Sequence, residues 1–160
     1  MRRLRKFAAL APDERRLALE AAVVLTLALA VLALVPFRRI AAWLGEPVGG
    51  GERAVRPPDA RHLGSARQIG RAVERAARHL PWPALCLPQT IAAQAMLRRR
   101  GIASTAHFGM ALSEAPDPRR MRAHAWLTVG DTAVVGGRGD GGFAVLARFS
   151  HEPAAGQPAP

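Results

Sequence analysis

Tyrosine is absent from this 160-residue chain, and cysteine and lysine each occur once, as Cys86 and Lys6. One cysteine excludes an internal disulfide framework and any zinc site made from several thiolates, so a reducing cytosol is the simpler compartment. Aromatic residues are only 5% of the chain, and none alternates with basic residues as stacking platforms for nucleic acid do. The five histidines (His62, His79, His107, His124 and His151) show no HxxxH or HxH spacing. No metal is therefore expected, and no organic cofactor is implied.

With lysine nearly missing, the formal charge of +11 rests almost wholly on arginine. These arginines are spread over helix faces and ends, so nucleic acid is not expected as a partner. A solvated basic surface, anionic lipid or an acidic peptide are the readings that charge alone leaves open. Apolar residues make up 49% of the chain, enough for one core, and the length suits one domain with an appendage.

Residues 1–45 read as an N-terminal helical segment. Ala11-Pro12-Asp13-Glu14 resembles a helix start, and from Ala21 to Phe37 no charge occurs and Thr26 is the one polar residue. That stretch reaches roughly 25 Å as a helix, just short of a bilayer's hydrocarbon thickness. It is long enough to contact a membrane by spanning it, lying along it, or packing as a hairpin on the rest of the chain. Arginines flank both ends, at Arg15-Arg16 and Arg38-Arg39. A cleavable signal is disfavoured by the acidic residues in its leading region. The expected location is cytoplasmic, at the inner face of the cell membrane.

Residues 46–64 read as a linker, broken by Gly49-Gly50-Gly51 and Pro57-Pro58. A catalytic domain is expected over 65–150, opening on the capping box Ser65-Ala66-Arg67-Gln68. Ile69, Val73, Ala76, Ala77 and Leu80 give its first helix an apolar face, which Pro81-Trp82-Pro83 ends. Residues 151–160, rich in Pro and Ala, read as a disordered tail.

The lone thiol follows at the start of a second helix. Pro88 is tolerated only in a first turn, so Cys86 should lie at or just before the first helical residue. Unpaired N–H groups and the positive dipole end at such a position favour a thiolate in general, and a nearby imidazole can accept and return the proton. Leu87, Ile91 and Ala95 mark a core-facing stripe, and Arg98-Arg99-Arg100 with Gly101 suit a helix C-terminus.

Antiparallel strands come next. Thr105–Leu112 and Arg122–Val129 alternate in polarity, and Gly130-Asp131 is a two-residue turn into Thr132–Gly137, with Gly first as a type II′ hairpin prefers. Phe143–Phe149 supplies a further strand. The fold class expected is α+β, with the thiol-bearing helix packed on an antiparallel sheet. His124 lies within the second strand, and Trp126 shares its face. His107 is a rival base on the neighbouring strand. The chain order, thiol at a helix start and histidine on a later strand, is that of papain-like and transglutaminase-like cysteine sites. Acyl transfer follows as the chemistry, with Cys86 as nucleophile, His124 as general base and acid, and the Cys86 N–H with Gln89 at the oxyanion. Trp126 either walls the cleft or packs in the core.

Cys86-Leu87-Pro88-Gln89, Leu97-Arg98-Arg99-Arg100-Gly101-Ile102, His124-Ala125-Trp126 and Ala147-Arg148-Phe149 resemble the lasso-peptide biosynthesis B protein. The likeness is to its C-terminal transglutaminase-like leader peptidase domain, shared with microcin-processing proteins. It implies a Cys-His-Asp triad that cuts the leader from a ribosomally made precursor peptide before macrolactam formation. It also implies two partners, a separate leader-recognition protein and a cyclase that resembles asparagine synthetase. The family's aspartate would fall around Gly136 or Gly137, and neither is acidic. Asp131 lies at the hairpin turn, roughly 20 Å along the strand from His124. Asp140 follows the other end of the hairpin and is preferred as third member, with a backbone carbonyl or water as substitutes. Another acyl transferase (a transglutaminase or amidase), or a degenerate membrane-tethered scaffold, are the alternatives.

Overall fold

Arg122 to Val129 alternates as a strand should, and in the computed structural model it is the centre of a hairpin in a five-stranded sheet. The structure describes residues 11–48, 58–112, 121–137 and 142–153. In chain order the elements are α1 (Pro12–Leu34), α2 (Phe37–Leu44), β1 (Glu46–Pro47), α3 (Ala60–His79), α4 (Cys86–Arg98), β2 (Ser104–Leu112), β3 (Met121–Val129), β4 (Thr132–Val135) and β5 (Ala144–His151). The strands lie in the order β1-β5-β2-β3-β4, and each neighbouring pair is antiparallel. This is the expected α+β class, with α4 packed on β2 and β3 and α3 packed on β4.

Local chemistry accounts for the element ends. Pro12 sits in the first turn of α1 with Asp13 and Glu14, which suit the positive end of the helix dipole. The helix stops at Leu34 because Val35 precedes Pro36 and takes an extended conformation. Gly130 has φ +56° while Asp131 stays at negative φ, as a type II′ turn requires. Val129 and Thr132 pair directly across it.

Three expectations are corrected. The first helix of the domain begins at Ala60, inside the 46–64 linker, because Asp59 caps it by accepting from the Arg61 N–H at 3.1 Å. Ser65 is simply carried in its second turn. Glu46-Pro47, also in that linker, adds a short edge strand against Phe149 and Ser150. The stripe of Leu87, Ile91 and Ala95 is too narrow, since α4 also buries Ala92, Ala93, Gln94, Met96 and Leu97. A helix covered on nearly all sides needs more apolar residues than a surface helix does.

The cover comes from α1, which packs on both α3 and α4. Ala21, Leu25 and Ala28 join Ile69, Val73, Met96, Leu97, Leu127 and Val129 in one core. Each fully buried Leu, Ile or Met there contributes about 1.5–3 kcal/mol. Gly70 lets α3 meet β4, because a side chain there would strike the Val134 carbonyl. Polar ties fix the N-terminal helices to α4. Gln94 Nε2 donates to the Leu44 carbonyl at 2.9 Å, and Arg98 Nη1 to the Trp43 carbonyl at 2.7 Å. Arg100 holds Glu20 through two hydrogen bonds, of 3.0 and 2.6 Å.

Candidate active site

Cys86 is the first residue of α4 and is half-buried. Leu85, in an extended conformation, is the N-cap and supplies no side-chain acceptor. Pro88 has no N–H, so the unpaired first-turn donors nearest the thiol are the N–H groups of Cys86 and Leu87. The first helical bond runs from the Gln89 N–H to the Leu85 carbonyl at 3.4 Å. Gln89 Nε2 donates to the Ala84 carbonyl at 2.6 Å, bracing the turn that leads into Cys86. The side chain expected at the oxyanion therefore spends one amide hydrogen on the backbone beside the nucleophile. Just upstream in the chain, Leu85 is 72% exposed and Trp82 is exposed as well.

His124 is on β3, opposite Gly109 of β2. Alternation divides β3 into two faces. Leu127 and Val129 enter the helix-packed core, whereas His124, Trp126 and Thr128 share the other face with His107. His124 Nε2 donates to the Gly136 carbonyl at 2.8 Å. A carbonyl oxygen only accepts, so the ring proton resides on Nε2 and the neutral ring presents its lone pair at Nδ1. The ring is held in place by Trp126, stacked at 5.8 Å between centroids, and by Phe143, tilted at 5.0 Å. Arg122 lies over Phe143 at 5.3 Å. α4 packs against the opposite face of β3, where Leu127 lies, so the structure does not bring His124 to Cys86, and among the described residues no hydrogen bond links the two.

Trp126 is only 6% exposed and lies between the two imidazoles, so it packs rather than presenting a surface. His107 stacks on it at 5.1 Å and shares a 2.9 Å hydrogen bond with Thr128 Oγ1. Burial, and secondarily the Arg148 charge, pushes His107 down to about 4. It stays neutral near pH 7 and is too weakly basic for general-base work at that pH. Asp131 is exposed at the hairpin turn, remote from the His124 end. Asp140, the expected third member, lies outside the described residues. Among the described residues no three histidine, cysteine, aspartate or glutamate side chains converge as a metal site would need.

Gly136, which has no acidic side chain to offer, supplies the acceptor through its backbone carbonyl. A backbone acceptor carries no residue signature; glycine is what allows the φ of +79° at this position. The signature of the transglutaminase-like superfamily matches residues 31–148. The chain belongs to that superfamily. No curated protein and no solved structure matches it. The transglutaminase-like match takes in the last turn of α1 as well as α4, the hairpin and most of β5, so Cys86, His124 and Gly136 all lie within it. A papain-like cysteine peptidase or acyltransferase fold thus accounts for both the helix that carries Cys86 and the sheet that carries His124.

Proposed function

We propose that this transglutaminase-like protein is a cysteine peptidase that removes the leader from a ribosomally synthesised lasso-peptide precursor. The observation that carries the reading is the bond from His124 to the Gly136 carbonyl, made where the family's aspartate would fall. It leaves the lone pair on Nδ1, and the reading requires this ring, which here lies on the sheet face away from α4, to meet Cys86 when substrate binds. Support also comes from Cys86 at the mouth of α4, with two unpaired N–H groups, and from the family match. In this reading His124 Nδ1 takes the Cys86 proton, and the thiolate attacks the scissile carbonyl at the leader–core junction. The N–H groups of Cys86 and Leu87 receive the oxyanion. His124 protonates the departing amine, and water then cleaves the thioester with His124 as base.

Leu85, the exposed residue before the nucleophile, offers an apolar seat for a side chain beside the scissile bond. A separate leader-recognition protein and an asparagine-synthetase-like cyclase are the partners, and the reaction takes place in the cytoplasm at the inner face of the membrane. The test is intact-mass analysis of a precursor peptide encoded beside this gene, incubated with the protein and its leader-binding partner. Two fragments, abolished in Cys86→Ala, are expected. A single product of increased mass would instead identify a transglutaminase or amidase. An intact precursor, together with sluggish thiol labelling indifferent to His124→Ala, would leave only a scaffold.

A further inference from the structure

The side of α1 turned away from the protein is apolar along most of its length. Leu19, Val23, Leu27, Val31 and Leu34 are all exposed, from 41% at Val31 to 83% at Leu34. Steps of three and four residues place them on a single stripe about 22 Å long. The opposite side of the same helix, at Ala21, Leu25 and Ala28, is buried against α3 and α4. Thr26 is the only polar residue from Ala21 to Val35, and its hydroxyl donates to the Ala22 carbonyl at 2.8 Å. No side chain in that stretch is left seeking water.

Charge at the two ends indicates what covers the stripe. Arg15 and Arg16 stand at its start, and the exposed Arg38 and Arg39 just after its end, followed by exposed Trp43. Guanidinium groups at both ends of an apolar stripe match anionic headgroups over acyl chains, and tryptophan favours that boundary. By length and hydropathy the helix also passes as a span, with a mean of 2.5. The packing opposes crossing. A spanning α1 would carry α3 into the hydrocarbon, with its exposed Arg61, Arg67, Arg71, Arg75 and Arg78, or else abandon the core formed by Ala21, Leu25 and Ala28.

We propose that this stripe is a peripheral docking face for an anionic lipid bilayer, with α1 lying in the plane of the headgroup boundary and the rest of the protein above it. The proposal stands independently of the peptidase reading. It is tested by flotation of the full chain with vesicles of phosphatidylcholine, with and without phosphatidylglycerol. Co-flotation with the anionic vesicles is expected, together with release by an alkaline carbonate wash. The double substitution Val23→Gln, Leu27→Gln, on exposed positions that leave the melting curve in place, should weaken partitioning by at least about tenfold. Arg38→Gln with Arg39→Gln should weaken binding to the anionic vesicles alone. Retention through the carbonate wash would overturn the proposal in favour of a span. It is overturned equally if no vesicle is bound, or if the chain is a dimer that the Val23/Leu27 substitutions dissolve, since the stripe would then serve a second copy.

Discussion

His124 donates from Nε2 to the carbonyl oxygen of Gly136 at 2.8 Å, and Gly136 reaches that position only with φ at +79°. A side chain there would meet the Ala125 carbonyl at 2.7 Å and the Trp126 Cβ at 3.0 Å. Gly137 also has positive φ, +64°, but open space around it. Gly137→Ala should therefore cost about 1 kcal/mol of stability and little activity. Gly136→Ala must displace β3 next to the imidazole. Turnover of an acyl substrate should fall by at least about tenfold, with the acidic limb of its pH–rate profile moved. Comparable losses in both variants would show that the carbonyl does not orient the ring.

A backbone carbonyl fixes the tautomer, yet it brings less negative charge than a carboxylate to steady an imidazolium. The dependence of the thiol on His124 is the direct check. Iodoacetamide labelling of Cys86 near neutral pH should slow by about ten- to a hundredfold in His124→Ala. His107→Gln should leave the rate near that of the parent, since His107 is occupied with Thr128 and Trp126. Equal labelling rates in the parent and His124→Ala would separate the two side chains chemically and remove the acyl-transfer mechanism.

What could be read from the residues is what local chemistry dictates. Pro88 placed Cys86 at the first position of α4, Gly130-Asp131 set the hairpin, and alternation in β3 put His124 and Trp126 on one face. What escaped depends on contacts distant in sequence. Asp59 as a cap moved the start of α3, and the covering of α4 by α1 was hidden because α1 is equally apolar on its buried and exposed sides. The Gly136 carbonyl could be anticipated only as a generic substitute, because every residue carries one.

The clasp between α1 and the end of α4 has its own prediction. Glu20 accepts from Arg100 at 2.6 and 3.0 Å, with Arg99 at 3.5 Å, and the bonds to Arg100 hold its carboxyl below the usual range. The pair is partly exposed, so screening reduces its worth. Glu20→Gln should lower stability by about 1–2 kcal/mol in urea titration at low salt, and by less in high salt. A loss that does not change with salt would mean that packing of the side chain, not the ion pair, is what matters.

Stability should fall with acid through His107. The folded protein holds this ring down to about 4, chiefly by burial and then by the Arg148 charge, whereas an unfolded histidine titrates near 6.5. Between those values the unfolded chain binds a proton that the folded chain refuses, so lowering the pH favours unfolding. The stabilisation is complete above about pH 6.5, shrinks as pH falls toward about 4, and is constant below that. Discounted for the ring's partial exposure, it amounts to about 1–2 kcal/mol. His151 shifts in the same direction, by burial and the Arg98 charge, and Glu20 adds a loss below its usual carboxylate range. The His107 share is isolated by His107→Gln, whose amide can still bond Thr128 Oγ1. Urea midpoints measured at pH 7 and pH 4.5 should differ less in this variant than in the parent. An identical difference in both proteins would show that His107 is freely protonated in the native state.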